Sequence, residues 1–103
     1  MKYLTENLNE DIRKINEDEL EPIRIDRGKR YGDADSGGDT LANVSAFGWI
    51  GAVISAFECV KRLQNIVKKF FKTGKIDKAD IENACLDGIN YLYYTLILLR
   101  RDK

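Results

Sequence analysis

Histidine is absent from this chain of 103 residues. That excludes imidazole as a general base, as the activator of a Ser or Cys nucleophile, and as a zinc ligand. Any metal would be a hard ion held by oxygen. Proline occurs once, at Pro22, and no stretch shows the apolar–polar alternation of a half-buried strand. The two cysteines, Cys59 and Cys85, lack CxxC spacing and fall on apolar stretches, as reduced core thiols do. Seventeen basic and seventeen acidic residues cancel, so the charge balance gives no signal for nucleic acid. No apolar run approaches the roughly 20 residues that cross a bilayer, the longest being Tyr91 to Leu99. The N-terminus is polar and carries no secretory pattern, so the expected setting is cytoplasmic, away from membranes.

What remains is helical periodicity, over 103 residues that suit one all-α domain. Leu4, Leu8, Ile12 and Ile15 predict a first helix near 5–18. Pro22 interrupts or restarts it, and 20–31 reads as a second short helix with Leu20, Ile23 and Tyr31 inward. Residues 32–43 (GDADSGGDTLAN) read as a loop, with Thr40, Asn43 or Ser45 as the cap of the central helix. That helix is expected over 44–72, with a seam of Trp49, Val53, Ala56, Val60, Leu63 and Val67 widened by Ile50, Ile54 and Phe57. Lys68, Lys69 and Lys72 suit its C-terminal dipole and Gly74 its termination. Asp77 with Asp80 resembles a capping box opening a last helix over 78–101. There, Ile81, Cys85, Ile89, Leu92, Leu96 and Leu99 make one face, and Leu86, Tyr93 and Ile97 a second. Such width exceeds what one partner helix covers. The expectation is a small domain whose two long antiparallel helices complete a bundle as a homodimer.

Two acids stand inside these apolar helices. Glu58 lies in WIGAVISAFECVKRLQN and Asp87 in ENACLDGINYLYYTLILL, and a bare charge buried there is costly. Glu58 and Arg62 are spaced for an intrahelical ion pair, or for an acid that holds a cation or basic ligand. Asp87, Asn90 and Tyr91 put a charge, an amide and a phenol within about one turn, as a register-fixing network or as a ligand site. The segment Arg30 to Asp35 adds acids and an arginine, as a solvated connection or as a lid whose Lys29 and Arg30 contact phosphate. Its acids do not follow the EF-hand pattern, and GDADSGGDT lacks the GK[ST] ending of a P-loop.

The order RGKRYGD, AFECVKRLQN and LDGINYLYYTLILL resembles the nucleotide modification associated domain family of small phage and bacterial proteins. Tyr31-Gly32 matches that family's KxxDYG-like loop, with Arg30 in place of its Asp. Glu58 stands where its RIxDKxxRLxxL helix has Asp, and Arg62-Leu63 match its RL. Asp87, Asn90 and Tyr91 match its DxxNY, with Asn83 in place of an earlier Asp. The family is in turn similar to the MazG-type all-α nucleotide pyrophosphohydrolases, in which ExxE and ExxD motifs on two helices bind magnesium. The resemblance implies a nucleotide-binding protein, with Glu58 and Asp87 as catalytic and Mg2+-binding acids. Lys29, Arg30 and Arg62 would contact phosphate, and Tyr31, Asn90 and Tyr91 would position ligand. Ile54 and Ser55 occupy the turn where the ExxE partner would stand, so the carboxylate set is reduced. The alternative is a noncatalytic homodimeric helical module with a buried polar network.

Overall fold

A computed structural model of the chain describes residues 2–31 and 47–101. The described residues are almost entirely helical and contain no strand. They fall in two compact units, one over Met1–Thr40 and one over Leu41–Lys103.

In the first unit, α1 (Lys2–Ile15) runs through a π-helical turn (Asn16–Leu20) into α2 (Glu21–Tyr31). The expected second helix is present, with Pro22 in its first turn, and a π turn joins it to α1. The Glu21 N–H donates to the Asn16 carbonyl, five residues back. A proline ring in an α-helix clashes with the carbonyl four residues before it. The widened turn relieves that clash and keeps the helix going. Leu20, inside this turn, is buried, whereas Leu8, Ile12 and Ile15 are exposed.

Arg13 ties one face of α1 to the turn. Its Nε donates to Glu10 at 3.0 Å and its Nη1 to Glu17 at 2.8 Å. The hydrogen bond from Arg13 holds the Glu10 carboxyl below its ordinary range. A depressed folded pKa contributes stability that is present above the unfolded value, about 4.3 for Glu, and lost as pH falls through the folded one. Arg13→Ala should therefore raise the Glu10 titration midpoint, followed by NMR of its side-chain carboxyl. An unmoved midpoint would show the pair is absent in solution.

The second unit is a helical hairpin. Helix α3 (Gly48–Thr73) and helix α4 (Lys78–Arg101) pack side by side. The turn between them is built as expected. Gly74 adopts the left-handed conformation (φ 69°), and its N–H donates to the Phe70 carbonyl at 2.7 Å. Thr73 Oγ1 donates to the Lys69 carbonyl and accepts from the Lys75 N–H. Asp77 Oδ1 accepts from the Asp80 N–H at 3.1 Å and caps α4. A Cβ at Gly74 would meet no neighbour, so the strain of Gly74→Ala comes from φ alone. It should cost about 1–2 kcal/mol, read as a lower urea midpoint at unchanged slope. Helix α3 begins at Gly48, with φ 63° and no side-chain cap. The candidate caps Thr40, Asn43 and Ser45, and the 32–43 loop, lie outside the described residues.

The hairpin keeps Ala56 and Leu63 of the expected α3 seam but turns the rest of it outward. On α3, Ala52 and Ala56 are buried, and Cys59, Leu63 and Ile66 are half-buried, at 4-3-4-3 spacing. Val53, Val60 and Val67 of the expected seam are exposed. On α4, Ala84 and Tyr94 are buried, with Gly88, Tyr91 and Leu98 half-buried between and beyond them. The physical reason is side-chain size, since helices approach closely where the facing residues are small. A Cβ built on Gly88 would lie 3.4 Å from the Cys59 Cβ, in van der Waals contact. Further from the turn, Tyr94 packs on Ala52, with Tyr91 and Leu98 against them. Small residues thus bring the helices together at Ala52, Ala56, Ala84 and Gly88, while many of the larger apolar side chains, Val53, Phe57, Val60 and Leu92 among them, face outward.

Candidate functional site

Arg62, Asp80 and Asp87 come together across the hairpin. Arg62 Nη2 donates to Asp80 Oδ1, an ion pair that links α3 to the first turn of α4. That bond and the nearby Asp87 carboxylate both strengthen the hold of Arg62 on its proton. Arg62 therefore lies in the field of two acids spaced seven residues apart on α4, an interval that returns to the same helix face. Asp87 is half-buried, Asn90 is buried and Tyr91 is half-buried one turn further along. The rings of Tyr91 and Tyr94 meet edge to face with centroids 6.0 Å apart.

Two expectations need correction here. Glu58 is exposed, not buried, because α3 packs through Ala52, Ala56 and Cys59 and carries position 58 outward. The partner of Arg62 is Asp80, not Glu58. A cross-helix bond to a carboxylate at the start of α4 wins over the local i,i+4 pair because the hairpin brings Asp80 opposite Arg62. Asp80 is legible in the sequence as a capping residue, but its role as ion-pair partner depends on helix packing. Its spacing from Asp87 is the available signal.

Lys29, Arg30 and Tyr31 occupy the last turn of α2, so their backbone is helical, not part of a loop. Their side chains, and the rest of the segment through Asp35, lie outside the described residues.

Among the described residues no group of three or more Cys, Asp or Glu is placed to hold a metal ion. Magnesium, however, is commonly held by one or two carboxylates together with ligand phosphates.

An apolar groove of about 410 Å3 runs between α3 and α4, floored by Ala56, Ala84 and Gly88 and walled by Val53, Phe57, Val60, Ile89 and Leu92. Cys59 and Cys85 also line it. Phe57 is 66% exposed and Leu92 52%. No described helix is long and apolar enough to cross a membrane.

No protein-family model, curated protein or solved structure matches this chain.

Proposed function

We propose that this chain is a nucleotide-binding helical protein that works as a homodimer, with magnesium-dependent hydrolysis of a nucleoside triphosphate to monophosphate and pyrophosphate as its activity. The observation that carries the reading is Arg62 set against Asp80 with Asp87 beside it. A guanidinium has five donors in a planar fork, so the bond to Asp80 leaves others to meet phosphate oxygens. Asp87, with Glu58, would hold magnesium whose remaining ligands are phosphate oxygens and water. When bound, the ion neutralises phosphate charge and activates water. Asn90 and Tyr91 follow Asp87 along α4 and would orient the ligand. All of these side chains stand on α3 and α4.

The test is thermal denaturation with a panel of nucleoside triphosphates, with and without magnesium. A ligand at about a hundred times its Kd stabilises by roughly 2.7 kcal/mol. Asp87→Asn should abolish the magnesium-dependent part of that shift while the chain stays helical. A magnesium dependence unchanged by Asp87→Asn would remove Asp87 from the site.

A second reading, a noncatalytic interaction module, is favoured by the apolar groove and the exposed Phe57 and Leu92. In it, Arg62, Asp80, Asp87, Asn90 and Tyr91 serve hairpin packing. The absence of any shift across the triphosphate panel would sink the nucleotide reading and leave this one.

A further inference from the structure

The end of the hairpin where α3 turns into α4 has a chemistry of its own. Every residue from Val67 to Ala79 is exposed. Five of them are lysines, Lys68, Lys69, Lys72, Lys75 and Lys78, and one is an acid, Asp77. Among the described residues none of these lysines pairs with a carboxylate. Asp77 is engaged in capping α4. The helix dipole accounts for Lys72, in the last turn of α3. It does not account for Lys75 in the turn, and it disfavours Lys78, the first residue of α4.

Large apolar side chains stand among the lysines. Phe71 is 81% exposed and Ile76 56%, with Val67 and Phe70 exposed beside them. The rings of Phe70 and Phe71 lie 5.9 Å apart. Val67, Lys68, Phe71 and Lys72 fall at i, i+1, i+4 and i+5, so charge and apolar surface share one face of α3. Folding leaves this cluster in water, and its partner must take both halves. Nucleic acid also meets cations and aromatic rings, by phosphate contact and base stacking. Val67 and Ile76, however, have no π face to stack. All five cations are lysines, compact point charges without the guanidinium fork that grips a phosphate. A bilayer with anionic headgroups accepts such diffuse charges at its surface and apolar side chains just beneath it.

We propose that the α3–α4 turn docks on anionic membrane surfaces, with Phe71 and Ile76 entering the acyl boundary and the lysines lying against the headgroups. The contact is peripheral, as no described helix is long and apolar enough to cross a membrane. It goes beyond the nucleotide reading, whose Glu58, Arg62 and Asp87 it does not use.

The test is flotation of the full chain, without nucleotide, on two kinds of vesicle. One is phosphatidylcholine with about a third phosphatidylserine, the other phosphatidylcholine alone. The expected result is binding at least about tenfold tighter to the anionic vesicles, weakening as salt is added. A lysine near such a surface contributes about fivefold, so Lys72→Gln with Lys75→Gln should weaken binding by about 25-fold. Phe71→Ser should weaken it by about tenfold while far-UV ellipticity stays helical. Phe71→Trp in a Trp49→Phe chain should give emission that shifts to the blue on anionic vesicles. If that chain fails to fold, the two vesicle types and the salt series on the unsubstituted chain decide. No binding, or equal binding to both vesicles, overturns the proposal. So does binding that survives the loss of Lys72 and Lys75, or an emission that does not shift. A single-stranded oligonucleotide held more tightly than the anionic vesicles, through the same lysines and Phe71, overturns it in favour of nucleic acid. Triphosphate binding is scored separately, so either reading can fail while the other stands.

Discussion

Tyr94→Ala should cost about 3–5 kcal/mol, the range for deleting a buried aromatic side chain. Tyr94 is 7% exposed and is the largest side chain buried between α3 and α4. Its ring rests on Ala52 and meets Tyr91 edge to face. Truncation removes both contacts and leaves a void that Ala52, a methyl group, cannot fill. The few other buried side chains of the hairpin are small, so little packing is left to compensate. A loss of this size is a large part of the roughly 5–15 kcal/mol typical of a whole domain. The measurement is urea denaturation followed by far-UV ellipticity. A midpoint within error of the unsubstituted chain would mean that the hairpin does not pack through Tyr94.

Ala52→Leu fails in the opposite way. Ala52 has no exposed surface, and its methyl sits where α3 meets Tyr94. The added carbons have no room at this seam, so the helices must separate or Tyr94 must leave its place. Overpacking of this kind costs about 1–3 kcal/mol, even though Leu is nearly as good a helix former as Ala. The control is Asn65→Leu, at an exposed position of the same helix, where stability should change by no more than about 0.5 kcal/mol. If the two substitutions lower the urea midpoint equally, seam packing is not the cause.

Periodicity and local chemistry made much of this architecture readable. The single proline, the 3.6-residue patterns, the Gly74 stop and the Asp77 cap each act over a few residues, and the stop and the cap both appear in the hairpin. The packing seam was readable only in part: Ala56 and Leu63 were expected in it and are there, whereas Val53, Val60 and Val67 were expected and are exposed. Hydrophobic spacing marks which residues prefer to leave water, and on α3 these lie on more than one side. It does not say which side meets α4. That choice fell to Ala52, Ala56, Ala84 and Gly88, whose value is their small volume, a property that hydropathy weighs lightly. The candidate site divided similarly. Asp87, Asn90 and Tyr91 share a helix by sequence alone, whereas joining Arg62 to Asp80 requires two helices in register. Pro22 marked the start of α2, but the π turn that joins α2 to α1 has no signal of its own in the sequence.

That wider turn has a consequence for how the first unit tolerates changes of length. A π turn spends one more residue per turn than an α turn, so the chain downstream is rotated by about 100° relative to an uninterrupted helix. Deleting one residue between Asn16 and Leu20 would restore ordinary winding, and Pro22 would then face the carbonyl it now avoids. Adding one would rotate α2 by the same angle in the other sense. A helix with this joint is keyed: its two halves keep their relative orientation only at one length, and the five residues of the turn set that length.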